Sequence, residues 1–260
     1  MTAFDYRYLK LEREGTVALL TLNRPEVLNA CNPDMHLEVQ DAVQRVEDDP
    51  DTRVLVVTGA GRAFCSGSDL RVVGQFEGVA ARNYLRLDFE TKNRVAASQK
   101  PVIAALHGHV AGGGFELALA CDIRLAAPDV QFHFAEINIG TIPGAGGLQR
   151  LPAIVGLGIA KEWTFTGRRI LADEAQRTGL VNAIHPLEGL LPAAMALGNE
   201  IAKRSPLALF LAKTALHPEP PASRGLVGTY HMLASQACHD DPAYKQGTGG
   251  YRAKERSDKT

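Results

Sequence analysis

Cysteine is scarce in this 260-residue sequence, and no two cysteines are close together. Cys31, Cys65, Cys121 and Cys238 are widely spaced with no CxxC. That pattern offers neither a metal-ligand spacing nor a disulfide framework, and it fits a reducing compartment. An excess of one charge is also missing. Lys plus Arg number 28 against 29 Asp plus Glu, a formal net charge of -1, which leaves no electrostatic footprint for a nucleic-acid backbone or an anionic membrane. There is no long apolar run: the most apolar stretch, 101–120, carries His107, His109, Glu116 and four glycines, and does not read as a membrane span. The opening MTAFDYRYLKLE is charged from residue 5 onward and has no apolar core of the kind a signal peptide needs. A dinucleotide fingerprint is lacking too, because in GAGRAF (59–64) Phe64 stands where GxGxxG has its third glycine. These exclusions leave a cytoplasmic, soluble protein with no nucleic-acid or membrane partner, long enough to bury a substantial core.

What is present alternates. TVALLTL (16–22), RVLVVT (53–58) and PVIAAL (101–106) read as short strands. Residues 34–48 place Met35, Leu37, Val39, Val43 and Val46 at partly helical spacing, with Asn32 or Asp34 as the cap. A second helix is expected over 79–97, and a third from the glycines at 112–114 through FELALA. Strand-like pieces return at 122–126 and 130–134, and from about residue 144 the pattern turns helical. An α/β core over residues 1–200 and a helical region over 201–260 are expected.

Three segments carry chemistry. GAGRAFCSGSDL (59–70) follows a strand, and its small residues Cys65, Ser66, Gly67 and Ser68 let a ligand approach backbone N–H donors. In GHVAGGGFELALACD (108–122), consecutive glycines precede an apolar helix, whose unpaired N–H groups and dipole favour developing negative charge; Glu116 falls in its first turn. In FHFAEINIGTIPGAGG (132–147), Glu136 lies among Phe132, Phe134, Ala135, Ile137 and Ile139. A carboxylate buried there needs a partner, an elevated pKa or a chemical role. Each segment also has a purely structural explanation: a turn, a dipole-complementing glutamate, a salt-bridged carboxylate. Together they answer one problem. An unsaturated or enolisable thioester reacts through an enolate-like oxyanion, which two N–H donors can hold while two carboxyl groups share the proton transfers.

In this order and spacing, with LNRPEVLNA (22–30) before them and GLV (179–181) after, the segments closely resemble the enoyl-CoA hydratase/isomerase (crotonase) superfamily. The resemblance implies a spiral of ββα turns with two roughly perpendicular sheets, and C-terminal helices that build homotrimers, often paired as homohexamers. It implies an acyl-CoA substrate, with coenzyme A as part of the substrate and no metal or redox cofactor. It places the oxyanion-hole donors at the backbone N–H groups of Ser68 and Gly113, an adenine contact at the Ser66 carbonyl, and Asp69, Leu70 and Arg71 along the thioester arm. Lys254 matches a weaker CoA contact, across a subunit boundary. Members with both glutamates resemble hydratases, in which Glu116 activates water and Glu136 delivers a proton to Cα. Isomerisation, retro-aldol cleavage and thioester hydrolysis on the same scaffold stay open, as does a catalytically idle CoA-binding protein. Departures from the pattern are Glu26 where many members have Lys, His107 for a common Asn, His109 before the glycines, and HFAE where Pro is usual, which puts His133 and Phe134 near the pocket. Residues 71–95, with Trp163 and the C-terminal helices, are expected to line the acyl end.

Overall fold

The computed structural model describes residues 6–216, 229, 232–233, 236 and 244–249. Strands β1 (Leu9–Glu14) and β2 (Val17–Leu22) form an antiparallel hairpin in register from Leu9↔Leu22 to Glu14↔Val17. Helix α1 (Pro33–Asp48) follows; the Asn32 side chain caps it by accepting the Met35 N–H at 2.9 Å, and its apolar stripe buries Met35, Val39, Val43 and Val46.

The chain then runs through three turns of one pattern. The first is β3 (Val54–Gly59), β4 (Ala63–Cys65) and the helices α2 (Leu70–Val73) and α3 (Gly78–Ala96). The second is β5 (Val102–Leu106), β6 (His109–Ala111) and α4 (Gly113–Ala120). The third is β7 (Ile123–Ala126), β8 (Gln131–His133) and α5 (Ala135–Asn138). Helices α6 (Gly147–Val155) and α7 (Leu157–Thr166), β9 (Ile170–Leu171), α8 (Ala172–Arg177), β10 (Ala183–Ile184), α9 (Leu187–Ala202) and α10 (Pro206–Leu216) complete the regular elements described in that order.

Within each turn the two strands enter different sheets. One sheet has the order β1-β2-β3-β5-β7-β10, the other β4-β6-β8-β9. Pairing is parallel throughout β2-β3-β5-β7-β10 and β4-β6-β8. Buried on both faces, β3 and β5 are covered at every position, which is why VLVVT and VIAAL read as unbroken apolar runs. Leu55, Val57 and Ala104 face the main core with Phe64, Phe115, Phe132 and Trp163. Val54, Val56, Ile103 and Ala105 face the other side, where Leu190 and Ala194 of α9 close a second core.

The strands expected over 16–22, 53–58 and 101–106 and the helices over 34–48 and 79–97 are present within one or two residues. Trp163 departs from expectation: it is 1% exposed in the main core, its indole N–H donates to Glu174 Oε1 at 3.2 Å, and it does not reach the acyl end of any cavity described below. Helix α10 buries none of its own residues; Leu207, Leu211 and Leu216 are exposed, and Lys213 ties the helix down through Asp122 at 2.8 Å. Among the described residues no helix is long and apolar enough to cross a membrane.

Candidate active site

The site lies at the C-terminal ends of β4, β6 and β8, three mutually parallel neighbours in one sheet, the place where parallel strands open toward ligands. Residues 66–69 leave β4, Gly112 and Gly113 leave β6, and Phe134–Glu136 leave β8. Gly67, at φ +99°, makes the first two loops touch: a Cβ there would stand 2.9 Å from the Ala111 carbonyl oxygen and 3.2 Å from the Gly113 nitrogen. The loop after β4 is pinned from behind, because the Cys31 N–H donates to Gly67 O at 2.7 Å and the Asp69 N–H to Cys31 O at 2.8 Å. Those bonds skip Ser68. Its N–H and that of Gly113, the first residue of α4, have no acceptor among the described residues. Two unpaired donors on touching loops, one of them at a helix start, can hold an oxyanion.

Glu116 stands one turn into α4, a helix buried along its whole length. The side chain is 1% exposed, and Oε1 accepts the N–H groups of Ala145 and Gly147, each at 2.8 Å. Burial and then the charge of Asp88 push its pKa up, while Lys92 and the two amides pull it back, leaving it at about 7. Glu136, in the first turn of α5, is half-buried as a residue, but its Oε2 is covered and has no partner among the described residues. Burial and then Glu116 raise its pKa well above the usual carboxyl range. Only glycine fits opposite it: Gly112 has φ +51°, and a Cβ would lie 3.0 Å from Glu136 Oε1. One carboxyl held ionisable by amides and one held neutral by burial is an acid–base pair in the making.

Both glutamates border a cavity of about 90 Å³. Ser66, Ser68 and Leu70 from the first loop and Gly113 from the second also border it, so six residues singled out from sequence converge here. Val73, Tyr84, Leu85, Ile139, Ile142 and Tyr244 also line it.

Asp69 and Arg71 stand off the cavity. The Asp69 carboxylate is taken by Arg24 at 2.9 Å and caps α2 through the Arg71 N–H, while the Arg71 side chain is exposed. Lys254 and Cys238 fall outside the described residues. His107 is structural, with Nε2 3.1 Å from Gly61 O. His133 and Phe134, expected near the pocket, immediately precede Ala135 and Glu136 of its lining: Phe134 packs on Phe115 at 4.8 Å, and His133 contributes its carbonyl, which accepts the Gly112 N–H at 3.0 Å. Tyr84, Asp88 and Lys92 fall in the stretch 71–95 expected at the acyl end, where Tyr84 and Asp88 border the cavity, but none of the three was singled out as a residue. They lie on the buried stripe of α3 with Ala81, Leu85, Val95 and Ala96, so charged residues at stripe spacing were the available signal. The Tyr84 hydroxyl donates to Ser68 Oγ at 2.7 Å.

A family model described as enoyl-CoA hydratase/isomerase matches residues 12–254. The chain is 42% identical over 211 residues to a crotonyl-CoA hydratase of Syntrophomonas wolfei, covering 81% of each. It is 39% identical to a short-chain-enoyl-CoA hydratase of Clostridium acetobutylicum, covering 80% of each. Among solved structures, an enoyl-CoA hydratase of Bacillus anthracis superposes with TM-score 0.80 at 33% identity, over 96% of this chain and 97% of that one. The chain belongs to the enoyl-CoA hydratase/isomerase family.

Proposed function

We infer that the protein is an enoyl-CoA hydratase, adding water across the 2,3 double bond of a 2-enoyl-CoA to give a 3-hydroxyacyl-CoA. The observation that carries this reading is the unequal treatment of two carboxyl groups on one cavity: Glu116 accepts the N–H groups of Ala145 and Gly147, whereas the Glu136 carboxyl has only its own backbone N–H, and its Oε2 has no partner among the described residues. Amide donors favour the ionised form, so Glu116 takes the proton of the attacking water. Glu136 keeps its proton and supplies it to Cα as the hydroxyl joins Cβ. The N–H groups of Ser68 and Gly113 hold the thioester oxygen as negative charge develops. Coenzyme A is part of the substrate, and the reaction as written uses no further cofactor.

The acyl group is short. A cavity of about 150 Å³ admits benzene, and this one is about 90 Å³, with Tyr84, Leu85, Ile139 and Ile142 in its lining. The names of the Syntrophomonas and Clostridium relatives point the same way. The CoA arm runs past Ser66 and the main chain of Asp69, Leu70 and Arg71, with Lys254 as a further contact. Residues 1–200 form the catalytic unit and 201–260 the region that joins copies into a trimer or a pair of trimers; the uncovered apolar residues of α10 support this. Buried, unbridged Cys31, Cys65 and Cys121 suit a cytoplasmic setting.

The test is loss of enoyl-thioester absorbance from crotonyl-CoA, with product mass measured. Hydration adds one water, isomerisation leaves the mass unchanged, and cleavage or hydrolysis splits the acyl group. A panel of short, long and aryl enoyl-CoAs that shows no hydration in either direction refutes the reading.

A further inference from the structure

A second charged cluster lies behind the glutamates. Asp88 and Lys92, one turn apart on α3, are 6% and 1% exposed and make a direct ion pair. The pair abuts the start of α4: a Cβ on Gly113 would sit 3.5 Å from Lys92 Nζ, 3.7 Å from Asp88 Oδ2 and 3.8 Å from Asp88 Oδ1. Gly113 is one helical turn before Glu116, and Asp88 itself borders the cavity shared by both glutamates.

Other elements add groups around the pair. From α1, His36 Nε2 is 3.3 Å from Asp88 Oδ1 and 3.3 Å from the Tyr84 hydroxyl. Burial and then Lys92 lower the His36 pKa to about 3, so the imidazole is neutral at working pH. Cys31 and Cys65 face Lys92 as a thiol pair with sulfurs 3.7 Å apart. From α6, the Arg150 guanidinium is held by Ala145 O at 3.1 Å and Asn93 Oδ1 at 2.6 Å. Lys92 pairs with Asp88, and its charge also acts on Glu116 and Glu136.

We propose that Asp88, kept ionised by Lys92, is a positioning residue for the hydration reaction: a fixed buried anion that makes Glu116 a base suited to neutral pH and keeps the proton on Glu136. This rests on the reading of Glu116 as base and Glu136 as acid. The geometry distinguishes it from a stabilising salt bridge, since a buried pair adds little or nothing to stability over apolar side chains of equal size, and this one borders the cavity. The directions agree. Burial alone would raise Asp88, but Lys92 outweighs it and holds the carboxyl below its usual range. Asp88 in turn raises both glutamates, and for each it outweighs the opposing pull of Lys92.

The experiment is the pH profile of kcat/KM for crotonyl-CoA hydration in the wild type, Asp88→Asn and the double variant Asp88→Asn/Lys92→Met. Removing the anion lowers the acidic limb, by about one pH unit or more. In Asp88→Asn the unpaired ammonium adds to the fall, so the limb lies lowest there, with the double variant between it and the wild type. The double variant buries no charge at either position and keeps the test available where the single variant does not fold. A third arm needs no substitution: the infrared spectrum of wild-type protein with 13C-labelled aspartate shows no protonated aspartic acid at pH 7. An unmoved or raised acidic limb, equal loss of rate at every pH, or a protonated aspartate band overturns the proposal. Wild-type protein that hydrates no enoyl-CoA overturns instead the reading on which it rests, and the infrared arm still reports the state of Asp88.

Discussion

Glu116 spends one oxygen on two amides and leaves the other free of donors among the described residues, so its charge and its position are set together. For a base, activity requires the ionised form; with a pKa of about 7, kcat/KM is predicted to fall as pH drops through 7. Glu136 must hold its proton, and its raised pKa puts the alkaline fall above the acidic one, giving a bell measurable with crotonyl-CoA. Glu136→Gln is predicted to lower kcat by about a hundredfold or more with the circular-dichroism spectrum unchanged; a variant with full rate removes Glu136 from the chemistry. Both glutamates were legible in the sequence because each interrupts an apolar stretch. Asp88 and Lys92 were not, because a long helix with many charges reads as solvated, and only its burial stripe separates these two from exposed neighbours such as Arg86 and Glu90. The Asp69 carboxylate was legible by position, while its capture by Arg24, 45 residues earlier, depends on folding.

At the scale of elements, local signals served where the element is long or fully buried. Asn32 caps α1 as its side chain allows, and Asn32→Ala is predicted to cost about 1 kcal/mol in denaturant unfolding. Strands β2, β3 and β5 announce themselves as apolar runs. Strands β4 and β6 do not: each has three residues, and their partners are supplied by another turn of the chain. Those segments showed their glycines instead, which pointed to chemistry before architecture. Gly67 serves both. Gly67→Ala would strain a φ of +99° and push the Ser68 loop off Gly113, so kcat is predicted to fall by about a hundredfold while β3 and β5 still fold. Native spectra with near-normal turnover would show that the two donors need no such contact.

Across the whole molecule, α10 presents Leu207, Phe210 and Leu211 without cover from the described chain. The proposed trimer predicts that Phe210→Asp with Leu211→Asp lowers the mass measured by light scattering to that of a single chain. An unchanged oligomer would move the interface elsewhere. The three turns of the core carry a different consequence. Segments that leave the ends of β4, β6 and β8 occupy the same place in successive turns, yet hold different groups: one donor in the first, a donor and Glu116 in the second, Glu136 in the third. In the proposed mechanism, activation of the thioester belongs to the first and second, and proton delivery to Cα belongs to the third. A change confined to the loop after β8 can therefore redirect the fate of an activated acyl group while the machinery that activates it is inherited intact.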